Sequence, residues 1–134
     1  MRMGVGISHF FLSASGELLS RWREAFPAAR ACVADTATVV GVTAASVGWL
    51  RLTQGQPVTE QLSRARHALG GVPLVVLSDQ PNDEEALAAF AAAARGYCNS
   101  HADAAVLRSL ERQANALAQP DLIERLRRSL RVVA

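Results

Sequence analysis

Short apolar runs alternate along this chain with stretches whose apolar residues recur every three or four positions. The first pattern is typical of buried strands and the second of amphipathic helices. The predicted strands are residues 7–14, 30–34, 47–52, 73–78 and 95–99. The predicted helices are residues 16–26, 58–69, about 84–94, 102–118 and 121–133. Strands that alternate with helices in this way predict a parallel, doubly wound α/β sheet.

Capping and turn residues support several of these boundaries. Ser13 or Ser15 is suited to cap the first helix, and Asn82 or Asp83 is suited to cap the third. Gly70-Gly71 is a helix-stop signal after the second helix.

Four segments carry further expectations. Residues 36–46 fit two interpretations, because their β-branched composition favours a strand whereas the doubly wound plan requires a short helix or a turn. The third helix is predicted to have Leu87, Phe90, Ala91 and Ala94 on one apolar face. The fourth is predicted to have an apolar stripe formed by Val106, Leu107, Leu110, Ala114 and Leu117. The last helix must bury, on the domain or across a dimer, the stripe of Leu122, Leu126, Leu130 and Val133.

The composition indicates one ordinary globular domain. The chain has 134 residues, of which 50% are apolar and 19% are charged. Residues 1–118 are predicted to form the domain, and residues 119–134 a C-terminal helical extension of it. Because aromatic residues make up only 5% while alanine and leucine are abundant, the core is predicted to be aliphatic.

Charge, hydropathy and cysteine usage exclude several classes of function. A formal net charge of +2 is too small for a direct nucleic-acid partner. No stretch approaches the roughly 18 apolar residues of a membrane span, and the apolar residues near the N-terminus are too interrupted for a signal peptide. Cys32 and Cys98 are predicted to be reduced packing residues. We therefore expect a cytoplasmic protein with no membrane partner.

No cluster of residues indicates catalysis, a metal or a cofactor. His9, His67 and His101 are scattered, and no serine or cysteine with an acid stands at triad-like spacing to them. Cys98 and His101 form one pair of potential zinc ligands with no second pair near them. The glycines form neither a dinucleotide fingerprint nor a phosphate-binding loop. The expectation is a protein that is not an enzyme and holds no metal or cofactor.

Three features of the second half carry a family resemblance: the run Val72–Ser78, an alanine-rich helix, and the segment Ala94–Tyr97. Together they resemble the receiver domains of bacterial two-component response regulators. The spacing from Ser78 to Tyr97 matches that family's spacing from its hydroxyl residue to its switch aromatic. The stretch after residue 100 is similar to the tail of LuxR-type receivers. The resemblance covers residues 45–118 and implies a flavodoxin-like, five-stranded parallel sheet of order 2-1-3-4-5.

The chain departs from this family at the charged positions of the phosphorylation site. A working receiver has an aspartate at the end of strand three, two acids after strand one that hold Mg²⁺, and a lysine after strand five. Here Arg51 stands at the acceptor position, Ser13-Ala14-Ser15 ends strand one, and Ser100 stands at the lysine position. Only the hydroxyl of Ser78 remains. The site is therefore predicted to be degenerate and to transfer no phosphoryl group.

Two further interpretations follow from the resemblance. Arg51 either fills the degenerate site as a fixed cation that bonds Asp79 or loop carbonyls, or points into solvent. Tyr97 corresponds to the switch aromatic and is expected to be static. The face on which receivers dock or dimerise corresponds here to Phe90, Arg95, Tyr97, His101 and Arg108.

Three functional hypotheses remain open at this stage. The first is a phosphorylation-independent pseudo-receiver that binds a protein in signal transduction or transcriptional regulation: a regulator, a kinase, or a second copy of itself in a homodimer. The second is a flavodoxin-like binder of, or enzyme acting on, a small anion or nucleotide in the crevice near Arg51 and Ser78. The third is a receiver phosphorylated on an unorthodox acid such as Asp79.

Overall fold

The computed structural model describes residues 8–34, 39–43 and 45–117. Its strands are β1 (Ser8–Ser13), β2 (Arg30–Val33), β3 (Ser46–Arg51), β4 (Leu74–Ser78) and β5 (Gly96–Asn99). Its helices are α1 (Ser20–Ala25), α2 (Val58–Leu69), α3 (Asp83–Ala91) and α4 (Ala104–Leu117). The predicted helix 121–133 and the predicted extension 119–134 lie outside the described residues.

The five strands form one parallel sheet in the order β2-β1-β3-β4-β5. The predicted flavodoxin-like, doubly wound fold and its strand order are therefore confirmed. One face of the sheet packs against α2 and α3, and the other packs against α1 and α4. A sheet covered on both faces explains why the central strands are apolar along almost their whole length.

The core differs between the two faces, and the prediction of an aliphatic core is wrong for one of them. The face under α1 and α4 is aromatic: the ring of Phe11 stacks on Trp22 and Trp49, with centroids 4.6 and 5.3 Å apart. Both indole N–H groups find buried acceptors, since Trp22 donates to the Ser100 carbonyl at 2.9 Å and Trp49 donates to His9 Nδ1 at 3.1 Å. Four of the seven aromatic residues, Phe11, Trp22, Phe26 and Trp49, belong to this one layer, which composition alone does not reveal.

The first helix begins four residues later than predicted, and the predicted serine caps are wrong. Gly16 has a φ of +74°, a left-handed conformation that interrupts any helix starting there. Ser13 Oγ accepts a hydrogen bond from the Gly16 N–H at 3.0 Å, and Ser15 Oγ accepts one from the Glu17 N–H at 3.1 Å. The serines therefore stabilise the loop after β1, while α1 itself has no side-chain cap.

The third helix begins within one residue of its predicted start, but it ends three residues early and its predicted apolar face is largely exposed. Asn82 caps it by accepting a hydrogen bond from the Glu85 N–H at 2.8 Å. It ends at Ala91, because Ala93 adopts a φ of 70°. Its buried residue is Ala89, whereas Leu87 is 71% exposed and Phe90 is 51% exposed. The small alanine face lies against the core and turns the larger side chains outward.

Three further expectations concern the segment before β3, the apolar stripe of α4 and the two cysteines. Residues 39–43 lie in a turn rather than a helix or strand, and Val39 is buried there with its N–H donating to the Ala68 carbonyl at 3.1 Å. In α4, Leu107 and Ala114 are buried as predicted, but Val106 is 44% exposed. Cys32 and Cys98 are free and lie in the two edge strands, β2 and β5.

The burial of His9 predicts how stability depends on pH. Burial lowers the pKa of His9 to about 4 from its ordinary value of 6.5. Between these values the unfolded chain binds a proton that the folded chain excludes, so the free energy of unfolding falls as the pH drops. We expect a loss of about 2 kcal/mol across this window, measured by urea denaturation.

Two variants isolate this contribution. His9→Gln retains an oxygen that can accept from Trp49 but does not titrate, so the pH dependence should largely disappear. His67→Gln changes an exposed histidine of α2 and should leave the dependence intact. An unchanged pH slope in H9Q would contradict the assignment to His9.

Candidate functional site

The candidate site lies at the edge of the sheet where the parallel strands end. A cleft of about 250 Å³ opens there between the loops that follow β1, β3 and β4. It is lined by Ser13, Ala14, Ser15, Arg51, Leu52, Thr53, Gln54 and Asp79. The structure therefore brings together Ser13, Ala14 and Arg51 from the predicted site, together with Asp79.

Arg51 lines this cleft and is paired there with acidic side chains. Its Nε donates to Asp79 Oδ1 at 2.9 Å and its Nη2 donates to Asp79 Oδ2 at 3.3 Å. Its Nη1 lies 3.7 Å from Glu17 Oε1, and the guanidinium carbon lies 5.9 Å from the centre of the Trp22 ring. Only 18% of the side chain is exposed. Of the two interpretations of Arg51, the structure shows the paired arginine and not the one that points into solvent.

Asp79 is held ionised by this arrangement. Burial alone would raise the pKa of Asp79, but the hydrogen bonds and charge of Arg51, together with Ser100 and the nearby His101, outweigh that effect, and the pKa lies below its ordinary value. Both carboxylate oxygens are engaged by the guanidinium. The carboxylate is thus already used as the partner of a cation.

The charges in the cleft do not favour an added anion. One arginine, Arg51, faces two acids, Glu17 and Asp79. The net charge of these three side chains is therefore negative, although the sequence position of Arg51 suggests a cationic pocket. Glu17 and Trp22 were not predicted as partners of Arg51, because no local pattern links residues that meet only through the fold.

Ser78 and Ser100 lie behind the cleft and are fully buried. Ser78 Oγ accepts a hydrogen bond from the Gln80 N–H at 3.2 Å, which shapes the loop after β4. The Ser100 N–H donates to the Ser78 carbonyl at 2.8 Å, and its own carbonyl accepts from Trp22. Neither residue lines the open cleft, so the predicted set is only partly assembled.

Tyr97 is tied to the neighbouring loop and helix. Its hydroxyl donates to Glu85 Oε1 at 2.6 Å and accepts from the Asn82 N–H at 3.1 Å. Burial and the adjacent Glu85 carboxylate raise the pKa of Tyr97. The ring is half-buried and packs against the cluster formed with α2 and α3. These contacts hold the aromatic ring in one position in this structure.

The predicted docking face surrounds the edge strand β5. Phe90, His101 and Arg108 are exposed, while Arg95 and Tyr97 are partly buried. Leu87 on α3 and Val106 on α4 are also exposed, although each was predicted to belong to the apolar face of its helix. The sequence held one signal that Leu87 would be exposed. Ala86 and Ala89 are three residues apart and share a helix face, and a face of small residues can pack closely on the core.

The topology and the strand-end cleft define a flavodoxin-like α/β domain. No family model matches the chain, and no curated protein matches its sequence. Among solved structures, it is similar to a CpaE2 pilus assembly protein from Sinorhizobium meliloti 1021. That match has a TM-score of 0.54 and 12% identity, and it covers 81% of this chain and 99% of the other. At this identity the likeness concerns the fold alone.

Within the described part of the chain, no helix has the length and apolar character required to cross a bilayer.

The Arg51–Asp79 pair can be measured with a double-mutant cycle built from Arg51→Gln and Asp79→Asn. Because the Asp79 side chain is 37% exposed, solvent screening reduces the interaction, and we expect a coupling free energy of about 1 kcal/mol. The control cycle uses Arg21→Gln and Asp103→Asn, whose side chains are 52% and 79% exposed. Its coupling should be below about 0.5 kcal/mol. Equal coupling in the two cycles would contradict a special role for Arg51.

Proposed function

We propose that the chain is a receiver-like domain that binds another protein without being phosphorylated. The observation that carries this proposal is the bidentate pair between Arg51 and Asp79 at the end of β3. In the resemblance to receivers, Arg51 stands where the phosphoryl acceptor would be. An internal ion pair thus takes the place that a phosphoryl group and its metal would occupy.

The chemistry of the cleft argues against phosphoryl transfer. An arginine side chain remains protonated and offers no nucleophilic oxygen. Asp79, the nearby acid, is ionised but has both oxygens bonded to Arg51. A divalent cation that approached Asp79 would meet the positive charge of the guanidinium. The same considerations support the proposal that the domain is not an enzyme.

The surface supports an interaction role. Leu87 and Phe90 lie three residues apart on α3, so they expose two large apolar side chains on one side of that helix. Exposed apolar side chains that gather on one face mark interaction sites more often than isolated ones do. The proposed partner is a regulator, a kinase or a second copy of the chain, and the proposed location is the cytoplasm.

The structural neighbour adds bacterial pilus assembly to the proposed settings. Its name describes a pilus assembly protein, and it has the same fold as this chain. The proposed role is therefore a protein-binding domain in such a system. The alternative, an anion or nucleotide binder at Arg51 and Ser78, is less favoured because Glu17 and Asp79 already neutralise the arginine and Ser78 is buried.

Beryllofluoride with Mg²⁺, a stable analogue of the phosphoryl group, tests the first part of the proposal. The amide NMR spectrum of the labelled chain should not change at residues 13–15, 51–54 and 78–80, because the cleft lacks free carboxylates for the metal. A phosphorylatable receiver treated in parallel is the positive control. Saturable, Mg²⁺-dependent shifts that disappear in Asp79→Asn would favour the unorthodox receiver instead.

Site-specific photo-crosslinking in the native cell tests the interaction face. p-Benzoylphenylalanine placed at Leu87 or Phe90 should give discrete protein adducts, because these side chains lie on the proposed interface. The control position is Val40, which is also apolar and is 79% exposed but lies away from α3 and α4. The same adducts at all three positions, or none at Leu87 and Phe90, would contradict this face.

A further inference from the structure

A second cleft adjoins the first, because Ala14 and Thr53 line both. It has a volume of about 190 Å³ and is more enclosed than the first. Its lining residues are Ala14, Ala34, Leu50, Thr53, Gln56, Gln61, Arg64 and Ala65. It sits beside β1 and β3, where the strand order reverses, and doubly wound sheets bind ligands in the crevice at that point.

The wall of this cleft is built and held in place without a ligand. Leu50 and Ala65 are buried and supply apolar surface. Gln61 is 7% exposed, and its Oε1 accepts from the Thr53 N–H at 2.7 Å. Its Nε2 donates to the carbonyls of Thr53 at 3.1 Å and Gln56 at 3.0 Å. These bonds fix the loop between β3 and α2, so the cleft does not have to form on binding.

One charge at this cleft is unmatched. Within the part of the chain that the structure describes, Arg64 takes part in no hydrogen bond or ion pair, whereas Arg51 has two acidic partners. None of the lining residues is acidic. The two neighbouring clefts therefore differ in character: the first is neutralised internally, and the second combines an apolar wall with an available guanidinium.

We propose that the second cleft binds a small organic carboxylate, with its carboxylate on Arg64 and its compact apolar body against Leu50 and Ala65. The volume sets the size of that body. An apolar protein cavity of about 150 Å³ holds benzene, and this cleft is slightly larger. Benzoate is therefore a suitable probe, and benzamide is a neutral molecule of nearly the same shape.

Titration of the labelled full chain by NMR tests this proposal. Benzoate should cause saturable amide shifts centred on Thr53, Gln56 and Ala65, with a Kd on the order of 1 mM, and benzamide should bind about ten-fold more weakly. Arg64→Gln should weaken benzoate to the level of benzamide. Arg23→Gln, which removes an exposed arginine of α1 outside both clefts, should bind benzoate as the unaltered chain does.

A cavity-filling variant provides a second criterion. Ala34→Leu places a larger side chain at the cleft and should abolish the shifts from both probes, with thermal unfolding used to show that the variant is folded. The proposal is overturned if no saturable shifts occur below about 10 mM, if both probes bind equally, or if Arg64→Gln has no effect. None of these results depends on whether the domain binds beryllofluoride, so this inference and the proposed function can fail separately.

Discussion

A guanidinium that is mostly shielded from water must be matched by negative charge, because it does not lose its proton at any pH at which a protein is folded. Arg51 imposes this requirement at the end of β3. Asp79 satisfies it from the loop after β4, and Glu17 contributes from the loop after β1. One side chain thus links the ends of three neighbouring strands, which makes the cleft a set of mutually dependent loops.

The aromatic layer continues this linkage into the core. Trp22 faces the Arg51 guanidinium and donates its indole hydrogen to the Ser100 carbonyl, so it connects β3 to the end of β5. Its ring also stacks on Phe11 of β1. Trp22 lies in the first turn of α1, which begins only at Ser20, after the loop that contains Gly16. The polar site and the core on this face are therefore one structure.

The fold was predictable from sequence because each strand and helix leaves a periodic signal of its own, and parallel α/β order follows from their alternation. The site was only partly predictable. The position of Arg51 could be inferred from a resemblance, but its contact with Glu17 depends on a loop conformation set by Gly16. Leu87 shows a second limit of prediction from sequence. Periodicity shows which apolar residues share a helix face, but the face that packs on the sheet depends on the space between them. In α3 that space is filled by Ala89, and Leu87 is exposed.

Arg51 and Arg64 show how position decides what an arginine can do. Arg51 projects from a strand end among loops that bear acids, and its pairs with Asp79 and Glu17 satisfy it internally. Arg64 lies on α2, where the cleft beside it offers apolar walls and amide groups but no acid. Thr53 lines both clefts and is held by Gln61, so the loop that directly follows Arg51 is a wall shared by the two clefts. The same fold thus places a neutralised arginine and an available one beside a single loop.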